Sequence, residues 1–150
     1  MKHYLLFVTT LVSIGTVLIG ITGCSETVVS NKPLDLTQAK LLKVNMAYSQ
    51  YTRAKGKPPK GPTDIKSFLA KMGDPDDLLK SDRDGQPFVV CWGVALQQAN
   101  QFPMSWPVFA YEKQGLDGER FVLTTLSNVV KLTDDDFRQS IFPQGHKPSF

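Results

Sequence analysis

The strongest constraint on this chain is a charge-free run at its start. No charged residue lies between Tyr4 and Thr22, and Leu5, Leu6, Phe7, Val8, Leu11, Val12, Ile14, Val17, Leu18 and Ile19 make the run apolar. Lys2 and His3 precede it, and small residues ending at Cys24 follow it. A positive end, an apolar stretch and a small-residue site are the plan of a secretory signal peptide, which is removed and takes no part in the fold. Residues 1–23 are therefore set aside, and the folded domain is built from the rest. What remains is still the size of one domain. A hydrophobic share of 41% over the 150 residues leaves material for a core. An uncleaved membrane anchor is the alternative, because ~20 apolar residues suffice to cross a bilayer.

Ile21-Thr22-Gly23-Cys24 resembles the lipobox of bacterial lipoproteins. The resemblance implies that the Cys24 thiol is alkylated with diacylglycerol and that the chain is cut before it. Small side chains at Thr22 and Gly23 give a peptidase access to the backbone. Acyl chains then replace the lost apolar segment, each buried CH₂ contributing ~0.8 kcal/mol. The implied location is the cell envelope, lipid-anchored, on the periplasmic side or at the outer membrane; Ser25 after the cysteine implies the outer membrane in diderm lipoproteins. Residues 24–33, short and polar, read as a tether.

Loss of residues 1–23 removes Lys2 and no acid, so the formal net charge of +3 falls by one to an unremarkable value. Cys91 is then the remaining free thiol, which excludes an internal disulfide. Its setting, Phe88-Val89-Val90-Cys91-Trp92, is that of a buried, inert thiol. His146 is the one mature histidine, in a tail (143–150) that reads as loose. A nucleophile with a histidine base needs both groups within hydrogen-bond reach, and a zinc site needs more Cys and His than this. The expectation is that the chain is not an enzyme.

Residues 34–54 show helical spacing. Leu34, Thr37, Leu41, Val44, Tyr48 and Tyr51 recur at steps of three and four, widened by Met46 and Ala47, while Lys40, Lys43, Asn45, Ser49, Gln50 and Arg53 fall on the other side. Asp35 or Thr37 caps the start, and Gly56 with Pro58 and Pro59 ends it. Thr63 reads as the cap of a second, short helix over 64–72, with Ile65, Phe68, Leu69 and Met72 on one side. Asp74-Pro75 opens a further turn through Leu79. After Ser81 the pattern changes. Asp82-Arg83-Asp84-Gly85 is a turn, and strands are expected over 88–96, 106–113, 120–125 and 129–132, separated by a polar loop (97–103), by Gly115-Leu116-Asp117-Gly118 and by Ser127-Asn128. Thr133 caps a short acidic helix, Asp134 to Phe137. The predicted class is α+β: an N-terminal amphipathic helix and a short second helix packed on one face of a small antiparallel sheet, within one domain over 34–142.

That order resembles the soluble domain of type II secretion pseudopilins. The matching pieces are 41–51, 58–69, Asp84-Gly85-Gln86-Pro87-Phe88 and Gly115-Leu116-Asp117-Gly118. The chain is similar, more closely, to a group of small bacterial lipoproteins that join a K-P-P-K-type loop to an A-Y-E…D-G-x-R-F-V-L strand pair and a following L-T-D-x-x-F. That group implies no known activity. A pseudopilin keeps its apolar helix and polymerises through it; here the apolar segment precedes Cys24 and is removed, so filament assembly by that route is not expected.

Two sets of candidate residues follow. Asp82, Asp84 and Gly-flanked Asp117 are the candidate metal ligands, because calcium takes several oxygens from a flexible loop; some pseudopilins bind calcium near the stretch that Asp117 matches. Plain turn chemistry is the other use of these acids. Glu112 and Glu119 are expected at exposed cross-strand positions of a hairpin. Residues 32–71 carry Lys32, Lys40, Lys43, Arg53, Lys55, Lys57, Lys60, Lys66 and Lys71 against Asp35 and Asp64. Nucleic acid is excluded as a partner by compartment and by the lack of a reading motif. Attraction to anionic headgroups, at ~1 kcal/mol per well-placed lysine, competes with a simply solvated face. Lys57, Pro58, Pro59, Lys60 and Trp106 form the candidate interaction surface, since aromatic residues are enriched in such surfaces. The functional expectation is a membrane-anchored binding or structural accessory protein, with envelope or secretion proteins as partners and a calcium-stabilised binding domain as the alternative.

Overall fold

The computed structural model describes residues 35–96 and 107–148. The expected lipidation site Cys24, together with Leu34 and Trp106, lies outside the described residues.

The first helix, α1, is Leu36–Lys55. Asp35 caps it by accepting from the Thr37 N–H at 2.9 Å, and Gly56 ends it in the left-handed region (φ 67°) while donating to the Thr52 carbonyl. Its buried face is Thr37, Leu41, Val44, Asn45, Ala47 and Tyr48. Two assignments change. Met46, expected on the apolar side, is 50% exposed, and Asn45, expected outside, is 8% exposed. The geometry explains both: Asn45 lies four residues after Leu41 and three before Tyr48, on the stripe, whereas Met46 is rotated well away from Leu41.

The second helix, α2, is Pro62–Leu69 and begins one residue before the expected Thr63 cap. Its N-cap, Gly61, makes no side-chain cap bond, and Pro62 stands at the first helical position, where a missing N–H costs nothing. The Asp64 carboxylate accepts instead from the Lys60 N–H at 2.7 Å. At the other end the Met72 N–H bonds back three residues to the Leu69 carbonyl at 2.7 Å, so regular α-geometry stops earlier than the apolar spacing suggests. The short α3, Pro75–Leu78, is capped by Asp74, which accepts from the Asp76 and Asp77 N–H groups.

The sheet is a four-stranded antiparallel meander in the order β1-β2-β3-β4, built from Val89–Val90, Val108–Tyr111, Glu119–Thr124 and Val129–Thr133. The class is α+β. β1 is far shorter than the expected 88–96. Cys91 adds one more rung by donating to the Phe109 carbonyl, but Gly93 (φ 79°) then turns the chain away and donates to the Pro59 carbonyl at 2.8 Å. The β2–β3 turn uses Gly115 (φ 73°); a side chain there would run into the Glu119 carbonyl and the Arg120 Cβ. Thr133 caps α4, Asp134–Arg138, accepting from the Asp136 N–H.

The core has two sides. On one, Leu41, Val44, Ala47, Tyr48, Ile65 and Leu69 of the helices meet Phe88, Val90, Phe109, Ala110, Phe121 and Leu123 of the sheet. Tyr48 meets Phe109 edge-on, with centroids 4.7 Å apart. On the other, Phe137 of α4 and Phe142 cover Val108, Tyr111, Val122, Val89 and Leu132. The C-terminal segment is thus no loose tail in its described part. The His146 ring stacks on Phe142 at 5.7 Å, and its Nε2 lies 3.0 Å from the Tyr111 hydroxyl. Burial lowers the His146 pKa below its usual 6.5. This second layer explains why every residue of β2 is buried.

Candidate functional site

The most unusual side chain in the sheet is Glu112. Expected on an exposed rung, it is 0% exposed. The residues just after α3 account for this. Ser81 Oγ donates to Glu112 Oε1 at 2.7 Å, Arg83 Nη1 donates to Oε2 at 2.7 Å, and the Phe121 N–H donates to Oε2 at 2.7 Å. Arg83 also reaches the Leu116 and Glu119 carbonyls and lies over the Phe121 ring at 4.8 Å. Next to it, Asp84 accepts from the N–H groups of Gln86, Gln114 and Gly115. Partial burial pushes the Asp84 carboxyl up, but those amides outweigh it and hold its pKa below the usual value. Residues 81–86 are therefore a clamp on the β2–β3 hairpin. A serine donating to a glutamate has the form of half a nucleophilic site, yet Ser81 is 2% exposed and its oxygen already bonds the Arg83 N–H at 3.0 Å. The arrangement holds structure in place.

Cys91 is buried. Burial pushes its thiol pKa up to about 12, and Sγ donates to the Val108 carbonyl at 3.7 Å. It lines a cavity of about 240 Å³ together with Trp92, Val94 and His146. A thiol held protonated is a poor nucleophile and a poor metal ligand.

The candidate metal ligands are placed apart in function. Asp82 pairs with Lys40 at 2.8 Å, Asp84 is taken by loop amides, and Asp117 sits exposed in the hairpin turn at φ 56°. Among the described residues, no three His, Cys, Asp or Glu side chains gather as a metal would need.

The candidate interaction surface is partly assembled. Lys57 and Lys60 are exposed, Pro58 is half-buried, and Pro59 is buried with its carbonyl bonded to the Gly93 N–H. Immediately beyond this loop lies a groove of about 470 Å³ lined by Pro62, Thr63, Lys66, Asp76, Leu79, Lys80, Pro87, Phe88 and Trp92. Trp92 also stacks on Tyr48, with ring centroids 6.1 Å apart. Lys66 and Asp76 pair at 2.8 Å beside the opening. Sequence pattern alone points to the loop but not to the groove, whose walls come from α2, α3 and the residues that flank β1. Nor does it single out Ser81 and Arg83. The one local signal is an acid, Glu112, directly after the apolar run Val108–Tyr111.

Among the described residues, no helix is long and apolar enough to cross a membrane. No family model, curated protein or solved structure matches the chain.

Proposed function

We propose that the chain is an envelope lipoprotein, anchored through lipid on Cys24, whose pseudopilin-like domain works by binding other envelope or secretion proteins rather than by catalysis. The observation that carries this reading is the contrast between two regions. Around Glu112, Asp84 and Cys91 the reactive groups are bonded within the domain, Glu112 and Cys91 buried and Asp84 partly so. At the Lys57–Lys60 loop and the adjoining groove, cations face outward beside a half-buried Trp92: Lys57, Lys60 and Lys80 are exposed and form no ion pair among the described residues. Concave, mostly apolar sites with a few polar groups are where proteins hold ligands. The order of helix, Pro/Gly loop, short helix and meander supports the likeness to pseudopilin domains.

In-cell crosslinking of the lipidated protein with mass spectrometry of the captured material tests this. A small, reproducible set of envelope proteins, lost when Lys57 and Lys60 are both changed to Glu, is the expected result. Capture of bulk lipoproteins alone, unaffected by those changes, would sink the binding reading. The anchor is tested separately: Cys24→Ala should leave an uncut precursor without the acyl mass.

A further inference from the structure

The groove beside α2 is lined by two lysines, Lys66 and Lys80, and one acid, Asp76. Between Arg53 and Lys71 the sequence holds Arg53, Lys55, Lys57, Lys60, Lys66 and Lys71 against one acid, Asp64. Of these cations only Lys66 forms an ion pair among the described residues, with Asp76. Lys80 is a further exposed ammonium lining the groove, again without an ion pair among the described residues. The apolar surface comes from Leu79, Phe88 and Trp92, with Phe88 buried and Trp92 half-buried. A volume of about 470 Å³ lies within the ~300–1,000 Å³ of small-ligand sites, so it admits one or two side chains rather than a folded domain.

Resting on the binding reading above, we infer that this groove takes an acidic peptide segment carrying an aromatic or large aliphatic side chain. The apolar side chain lies against Phe88 and Trp92, and the flanking carboxylates meet Lys66 and Lys80. Charge complementarity selects this occupant: opposite charge across an interface steers encounter and disfavours cationic partners. The Lys66–Asp76 pair is the internal competitor. Its side chains are 48% and 79% exposed, so exchanging Asp76 for a partner carboxylate costs little. A membrane surface fits the lysines but not a recessed aromatic surface, which a layer of headgroups does not fill.

The test uses the full lipidated chain in detergent, and a Trp92→Phe variant identifies the part of the tryptophan emission that Trp92 supplies. The probe is the peptide acetyl-EFEFE-amide, with acetyl-KFKFK-amide and acetyl-EAEAE-amide as controls. The expected result is saturable, salt-sensitive binding of the first peptide with a change in Trp92 emission, and none with the lysine peptide. The alanine peptide should bind at least tenfold more weakly. Lys66→Gln and Lys80→Gln should each weaken binding by up to about fivefold, the range of one exposed pair. Asp76→Asn should strengthen it, a change of sign that misfolding cannot imitate. Equal binding of the phenylalanine and alanine peptides would overturn the inference, as would indifference to Asp76→Asn and Lys80→Gln. Phosphatidylglycerol vesicles that displace the peptide and move the Trp92 emission would overturn it in favour of a lipid surface. Captured partners in cells that persist with Lys66→Gln/Lys80→Gln, yet are lost with the Lys57 and Lys60 changes, would remove this inference and leave the binding reading intact.

Discussion

Replacing Arg83 with Met should unfold this domain more readily than any exposed charge change, and the size of the effect follows from burial. The Arg83 side chain is 13% exposed and its partner Glu112 0%. Removing one member of such a pair leaves the other charged and dry, which costs about 3–5 kcal/mol. In Arg83→Met the carboxylate keeps the Ser81 hydroxyl and the Phe121 N–H and loses its counter-ion. Glu112→Gln is milder. One amide oxygen still accepts from Arg83 and Phe121, but the Phe121 bond loses its charged acceptor, Ser81 Oγ faces an NH₂ in place of the oxygen it donates to, and the Arg83 cation is left without a counter-ion, so a loss of about 2–4 kcal/mol follows. The double variant removes both charges, so its cost should fall short of the sum of the singles by about 1–3 kcal/mol. Lys131→Met breaks the pair with Glu119, whose side chains are 46% and 44% exposed, and should cost no more than about 1 kcal/mol. Urea unfolding followed by far-UV circular dichroism, at constant slope, measures all four. Single variants within about 0.5 kcal/mol of the parent, or a double variant equal to their sum, would show that water reaches the pair and that the clamp is not desolvated.

Cys91, with its thiol pushed to about 12, should resist a thiol-specific disulfide reagent at neutral pH in the folded protein and react at once in denaturant; a Cys24→Ser background isolates the signal, and prompt labelling of the folded chain would contradict its burial. His146 has its pKa lowered by burial, so docking of the C-terminal segment is fully present above pH ~6.5, the unperturbed value, and weakens as pH falls through the lower folded value. Proton NMR of the His146 and Tyr111 rings should show this loss, and His146→Phe, which keeps a ring on Phe142, should abolish the pH dependence. Gly115→Ala forces a side chain into the left-handed region, at about 1–2 kcal/mol, and against the Glu119 carbonyl. It should therefore lower the melting temperature by several degrees more than Gly118→Ala, where the space is open; equal effects would mean that backbone conformation alone sets the cost.

What was legible in the sequence was whatever is settled within a few residues. Asp35, Asp74 and Thr133 each cap the helix that follows by bonding an N–H two or three residues on, so three of the four helix starts could be read locally. The meander was legible because Gly115, Gly118 and Ser127 adopt the positive φ that its turns require. The start of α2 was not, because Gly61-Pro62 begins a helix without any side-chain cap. The end of β1 depends on a bond from Gly93 to Pro59, a partner far upstream. Glu112 is the clearest case. An acid in a hairpin reads as exposed, and its burial depends on Arg83 and Ser81, 29 and 31 residues away in sequence, together with the Phe121 N–H. For the candidate site, the exposure of Lys57 and Lys60 followed from composition, whereas the groove exists only once α2, α3 and β1 are packed together.

The clamp and the groove share one piece of chain, and this ties stability to the binding proposed for the groove. Residues 81–86 hold Glu112 on one side, and their flanks, Lys80 and Pro87, pair with each other as an isolated β-bridge and line the groove on the other. Thr37 of α1 bonds the Asp82 N–H at 3.2 Å, and Lys40 bonds both Asp77 and Asp82, so the same stretch is fastened to the long helix as well. A buried ion pair does not by itself favour folding over an apolar substitute. Here Arg83 reaches Glu112 and the Leu116 and Glu119 carbonyls together, which ties this loop to the β2–β3 hairpin. Lys80 and Pro87, bridged to each other at the ends of this loop, are therefore held in place with the hairpin and α1 that the loop bonds. A variant that loosens Glu112 should blunt ligand binding at the groove without touching any groove residue, and it should do so under conditions where the domain is still folded.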